Sequence, residues 1–276
     1  MVRWQSGPAR LDATRDIDLS TRRIALALFA SSVLILVWPW LSGTVTIPWD
    51  AKAHFLPQVQ FLAQSLARGE SPFWSPHVFG GHPQIADPQS LLFSPVYLLL
   101  AHLDATPDPW MVDMLLFAMV AIGSACLMLW ARDQGWHWGG ALVTALCFGW
   151  GASMAWRIQH VGQILSLVWI VIALFFLDRA LRRSRVVWAI LAGLALARVA
   201  LGRDQVALLG LYFLAVFVLW RIVSPPTDAR RDRSGAIRSA TVAALIAIAL
   251  SLLPILFTWL LTQESNRPEI PYSEAA

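Results

Sequence analysis

The sequence predicts an all-α polytopic membrane protein. Three observations predict it. The chain is 57% hydrophobic and 14% charged, against about 25% charged residues in a soluble globular domain. Its mean hydropathy is +0.59. Its apolar residues gather into stretches close to the ~20 residues a helix needs to cross a bilayer, and its arginines gather between them.

The elements follow in order. A basic tail, 1–23, carries Arg3, Arg10, Arg15, Arg22 and Arg23. Spans are expected near 24–41, 111–131, 138–156, 163–180, 186–201, 205–221 and 239–261, about seven within one transmembrane module over 24–262. A long outer loop covers 42–110, and a C-terminal tail covers 263–276. The first apolar run is longer than a signal-peptide core and no small-x-small site precedes WPWLSG, so it reads as a retained span.

Two stretches of the outer loop read as surface helices. In 51–68, Phe55, Val59, Leu62 and Leu66 recur at helical spacing, with Gln58, Gln64 and Arg68 as polar partners. Residues 90–103 are apolar but short for a span and contain Pro95, so they read as an interfacial or re-entrant helix.

Arginine placement sets the orientation. Arg132, then Arg179, Arg182, Arg183 and Arg185, then Arg221, Arg230, Arg231, Arg233 and Arg238 follow the five of the tail. Seven spans with a cytoplasmic N-terminus put all of these on the cytoplasmic side, as the positive-inside rule requires. The expected location is the inner (cytoplasmic) membrane, with the C-terminus outside. A further crossing at 90–103 would turn the later arginine-rich segments outward. The net charge of +4 therefore reflects topology and gives no nucleic-acid signal, though basic segments suit anionic lipid headgroups. SPPTDARRDRSG, 224–235, reads as a flexible cytoplasmic loop. Cys126 and Cys147 fall inside spans, which argues against a disulfide framework.

Chemistry is concentrated outside. Asp50 follows Pro48 and Trp49 at the outer end of the first span. Two roles fit: a cap for the helix that follows, or a general base or metal ligand at the membrane surface. His54 lies four residues on, facing the same way if the helix starts at Asp50. One Asp/His pair is a sparse set for a hard cation, which takes about six to eight oxygen ligands.

The segment SPFWSPHVFGGHPQIADPQ, 71–89, is dense in turn formers, and long ordered loops carry function disproportionately. His82 and Asp87 are its polar candidates, and each also fits a structural hydrogen-bonding role. Two clusters share the outer side: Arg157, Gln159, His160 and Gln163, and Arg198, Arg203, Asp204 and Gln205. Arg203 and Asp204 either pair with each other or leave an arginine free to grip a phosphate through its planar fork. No Walker loop, GxGxxG in a βαβ context, HExxH or CxxC is present, so nothing points to nucleotide-driven chemistry.

The outer loop resembles the YfhO-like branch of the GT-C glycosyltransferases. That group's pattern is an aspartate, a helix ending in a glycine-containing turn, and a PLWNP…G.P..A segment. Here these read as Asp50, ARGESP at 67–72 and FWSPHVFGGHPQIAD at 73–87, with Ser75 in place of the asparagine. LAGLALARVALGRDQVAL, 191–208, is similar to a family segment around a GHPQ-like turn, and ESNRPEIPYSEA, 264–275, to the segment after the seventh span.

The resemblance implies a seven-span GT-C-like module with two surface helices in the first outer loop. It also implies transfer of a sugar from a polyprenyl-phosphate donor to an acceptor on the outer face, by an inverting enzyme of the cell envelope. Asp50 matches the family's catalytic acid position, as base for the acceptor hydroxyl or as ligand of a divalent cation, Mg or Mn. His54, His82, Asp87, Arg157, His160, Arg203 and Asp204 are substrate-binding candidates by position. Expected partners are the lipid-linked sugar, membrane lipids and, because family members are usually longer, a protein partner. The alternatives are a lipid or polysaccharide flippase, which needs polar residues at mid-bilayer and often repeats, and a non-catalytic assembly subunit.

Overall fold

In the computed structural model, residues 8–225 and 233–264 are described, with side chains from residue 18 onward. Most of the C-terminal tail, Arg3, Arg230 and Arg231 lie outside the described residues. Among the described residues ten α-helices run in order: α1 (Pro8–Leu41), α2 (Leu56–Arg68), α3 (Pro95–Leu103), α4 (Pro109–Asp133), α5 (Trp138–Trp150), α6 (Ala152–Arg157), α7 (Val161–Arg183), α8 (Val186–Ala200), α9 (Gln205–Val223) and α10 (Arg233–Gln263). A π-helical turn, Ala51–Phe55, leads into α2. There is no strand among the described residues, only one isolated bridge between Ser75 and His82.

Among the described residues, five helices are long and apolar enough to cross a membrane: Asp18–Leu41 of α1, α4, α7, α9 and α10. The chain is therefore an all-helical, multi-pass membrane protein. The expected count of seven is not reproduced. The stretch 138–156 is broken at Gly151, whose extended backbone (φ −65°, ψ 158°) ends α5 after 13 residues and caps the short α6. The 186–201 stretch is a 15-residue helix, α8. An apolar run reports burial in lipid or protein but not an unbroken helix, and glycine lowers the cost of the break.

Local chemistry fixes the ends. Asp108 caps α4, accepting from Met111 N at 2.8 Å, with Pro109 at the first helical position. Pro suits that position because its missing N–H has no intrahelical partner there. Gly69, left-handed at φ 69°, closes α2.

Helix α7 is the centre: 72% of its apolar window is buried, against 11% for α1. It packs on α4, α8, α9 and α10. Val168, Ile164, Leu177, Leu116 and Leu214 fill this core. The outer helices turn large apolar side chains outward, such as Ile35, Trp38, Leu209 and Leu252. Such a surface suits lipid contact, where apolar exposure carries no hydration cost.

The arginine-rich ends of α4, α7 and α9 meet in a buried network. Asp178, fully buried, pairs with Arg221 Nε at 2.8 Å and Arg182 Nε at 3.2 Å. Gln134 Nε2 donates to Asp178 at 2.7 Å, while its Oε1 accepts from Arg182 and Arg221. Arg179 grips Asp133 through two nitrogens, at 2.6 and 3.3 Å. The opposite ends carry the loop 42–108, which leaves the network end to hold the bundle and the loop end to carry the site.

Candidate functional site

The loop is anchored before any reactive group is placed. Asp113 on α4 is buried and accepts from Ile47 N at 2.8 Å. Tyr97 on α3 donates its hydroxyl to Val112 O at 3.3 Å. Burial, with the nearby Asp113 charge, pushes the Tyr97 phenol far above the ordinary tyrosine range, so it stays a donor. Phe55, Val59 and Leu62 turn inward as their spacing predicts, and Leu62 and Ala63 pack with Leu92 and Ala101 beside α3.

Asp50 stands where this anchored loop turns into the π-helical turn. Trp49 before it adopts φ 59° and is well exposed. A left-handed backbone at a bulky residue costs about 1–3 kcal/mol and persists only where surroundings enforce it. Asp50 precedes the turn yet makes no capping hydrogen bond, so the capping role open in the sequence is not the one adopted. Its Oδ2 lies 3.0 Å from His160 Nδ1. His160 is held between α6 and α7, its N–H donating to Arg157 O at 2.8 Å. The Asp50 and His160 side chains are 54% and 34% exposed, so a hydroxyl can reach them from solvent.

A second group forms around the 71–89 loop. Ser75 and His82 exchange two backbone hydrogen bonds of 2.8 Å, closing a turn in which Phe79, Gly80 and Gly81 all have positive φ. A Cβ on Gly81 would meet Trp74 Cζ2 at 2.4 Å. His82 Nε2 lies 3.4 Å from Asp87 Oδ2. Arg203 then clasps the loop: Nη1 donates to Ile85 O at 2.9 Å and to Thr258 Oγ1 at 2.7 Å, and Nη2 to Asp87 O at 2.7 Å. Burial lowers the Arg203 guanidinium to about 10, opposed by the Asp87 charge, and it remains a cation at neutral pH.

The candidates therefore divide. Asp50 meets His160, His82 meets Asp87, and Arg203 holds the Asp87 carbonyl. Arg203 and Asp204 do not pair. Asp204 caps α9 through Ala207 N at 2.8 Å and accepts from Ser166 Oγ at 2.7 Å. Arg157 reaches Gln163 at 2.9 Å. His54 leaves Asp50 alone, its ring against Phe55 and its Nε2 buried without a partner among the described residues. The π-helical turn spoils the four-residue register that would have paired them. Asp113, missed in the sequence, looked like one more residue of an apolar helix; its proximity to the helix start was the only available signal.

A small cavity beside α8 is lined by Pro88, Ser90, Ser94, Gly162, Ser166, Arg198 and Gly202; of the residues in the expected clusters, Arg198 alone is in this lining. Among the described residues no three His, Cys, Asp or Glu side chains gather as a metal site. Asp50 and His160 offer one carboxylate and one imidazole, and Mg is commonly held by only one or two carboxylates together with waters and substrate phosphates. The chain matches no family model, no curated protein and no solved structure.

Proposed function

We propose that the protein is a membrane glycosyltransferase of GT-C type, moving a sugar from a polyprenyl-phosphate donor to an acceptor hydroxyl. The observation that carries the reading is the Asp50–His160 contact, 3.0 Å long and open to solvent. A carboxylate with one oxygen steadied by an imidazole and the other without a partner among the described residues is suited to general-base work. In this reading Asp50 takes the proton of the acceptor hydroxyl. The acceptor oxygen forms a bond to the anomeric carbon as the bond from that carbon to the donor phosphate breaks. Polyprenyl phosphate leaves with the bonding electrons.

Further support comes from the distribution of charge. In the five long helices the charged residues stand near the ends, as Asp113, Asp178 and Arg221 do. A flippase path would need them at mid-bilayer. An apolar groove of about 590 Å³ between α8, α9 and α10, lined by Leu196, Leu211, Val218, Ala244 and Ile248, suits a hydrocarbon chain. In the proposed topology α5 with α6, and α8, complete seven crossings. The π-helical turn, α2 and α3 then lie along the outer membrane surface, the N-terminus is cytoplasmic and the C-terminus outside.

The test is reconstitution in nanodiscs with a panel of polyprenyl-phosphate sugars and a membrane extract supplying acceptors. Sugar-dependent release of polyprenyl phosphate is the expected result. Its absence across the panel, with folded protein that binds the lipid, would favour a non-catalytic assembly subunit.

A further inference from the structure

A groove on the outer loop is built from groups that the chemistry at Asp50 does not use. It runs between α2 and the 71–84 part of the loop. Two adjoining cavities of about 260 and 410 Å³ form it, and Phe61, Gln64 and His77 line both. Small-ligand sites occupy roughly 300–1,000 Å³, so the joined space is of ligand size. Neither Asp50 nor His160 is in the lining. The lining reaches from Pro57 to Arg68 along α2, a length of about 16 Å at the helical rise.

The α2 side supplies amides. Gln60 is committed, donating to Pro107 O at 3.0 Å. Gln58 and Gln64 are half-buried. Their amides have no partner among the described residues and are not sealed from solvent. Each offers two donors and an accepting oxygen. The loop side supplies rings. Trp74 rests so close against Gly81 that a Cβ there would collide with the indole. Trp74 is nevertheless 56% exposed, a platform held from behind with surface left over. His77 and Phe61 make a T-shaped contact at 6.0 Å, which sets both rings where the two cavities join. The acid and the arginine of the lining, Glu70 and Arg68, face each other at 3.9 Å, so their charges offset.

We propose that this groove binds a neutral oligosaccharide. A sugar ring presents C–H groups on its faces and hydroxyls around its edge. The faces suit an indole, whose negative π-face attracts polarised C–H groups. The hydroxyls both donate and accept, as do the two free glutamine amides. A lipid chain would leave those amides unpaired. An acidic polymer would find no surplus cation, since Arg68 is matched by Glu70. An extended peptide commonly binds by adding to a strand edge, and the described residues hold no strand. The site goes beyond the transferase reading and stands without it. If that reading holds, the saccharide is the acceptor, and the acceptor class is a glycan chain rather than a protein or a lipid.

The test is an array of neutral and acidic oligosaccharides probed with the whole protein in nanodiscs, which avoid sugar-headed detergents that would compete. Saturable binding of at least one neutral oligosaccharide is expected. Its affinity, from titration calorimetry, should fall about tenfold in Trp74→Ala and about three- to tenfold in Gln64→Leu. Gln64→Leu should leave the Tm unchanged, because its amide holds nothing in the fold, so it decides should Trp74→Ala not fold. Binding of no neutral saccharide overturns the proposal. So does a preference for acidic saccharides, or an affinity left unchanged by either folded variant. A sugar-free peptide array bound instead, with the same loss in Gln64→Leu, would assign the groove to a protein and overturn it as well. Binding that depends on Trp74 and Gln64 in a protein that transfers no sugar would support the site and count against the transferase reading alone.

Discussion

His160 Nδ1 lies 3.0 Å from Asp50 Oδ2, joining the start of the outer loop to the start of the central helix. The contact orients a carboxylate that sits on a left-handed turn at Trp49. His160→Ala should leave the fold intact, because its ring is part-exposed, and should lower the rate of polyprenyl-phosphate release by about tenfold or more. Initial rates at saturating donor measure this. An unchanged rate would separate His160 from the chemistry.

Asp178 is the opposite case, a charge that holds helices and touches no substrate path. Its side chain is fully buried between Arg182 and Arg221. Asp178→Asn removes the buried carboxylate that both cations share and should cost about 3–5 kcal/mol of stability. Arg68→Ala, which breaks a 3.9 Å pair with Glu70 exposed on both sides, should cost less than ~1 kcal/mol. Denaturation in mixed micelles compares the two variants. Equal effects would contradict the assignment of the network as the structural anchor.

Arg203 reaches three acceptors on two elements, Ile85 O and Asp87 O in the loop and Thr258 Oγ1 on α10. Arg203→Ala should loosen the 71–89 loop, since hydrogen bonds from a charged donor contribute about 1.5–3 kcal/mol. Limited proteolysis should cut that loop faster in the variant. Thr258→Ala, which removes a hydroxyl bonded to Ala86 O at 2.8 Å, should have a smaller effect of the same sign. A loop cut no faster in Arg203→Ala would refute the clasp.

Gly81 closes the turn at φ 125°, with Trp74 against the place a Cβ would take. Gly81→Ala combines backbone strain with a clash and should cost about 1–3 kcal/mol locally. Trp74 fluorescence in the folded protein should shift as the ring is displaced. An unchanged spectrum would show that the turn does not depend on this glycine.

Much of the scaffold was legible in the sequence because it rests on local rules. Apolar runs located every long helix, and the spacing of Phe55, Val59 and Leu62 located the buried face of the loop helix. What escaped was long-range or conformational. Asp178 and Arg221 stand on different helices, and nothing in the spacing joins them. Gly151 looked tolerable within an apolar run, yet its extended backbone divides the expected third span. Arg203 and Asp204 are neighbours, but the left-handed φ of 53° at Arg203 accompanies their separation, one toward the loop and one onto α9. Asp50 and His160 were each visible as candidates; only the fold joined them.

The most direct measurement of the central claim compares wild-type and Asp50→Asn proteins in the nanodisc transfer assay, with Tm measured on both. The account predicts nearly equal Tm values, because Asp50 is half exposed and caps nothing, together with a fall in transfer of about 10²- to 10⁴-fold. Wild-type turnover by Asp50→Asn would contradict it.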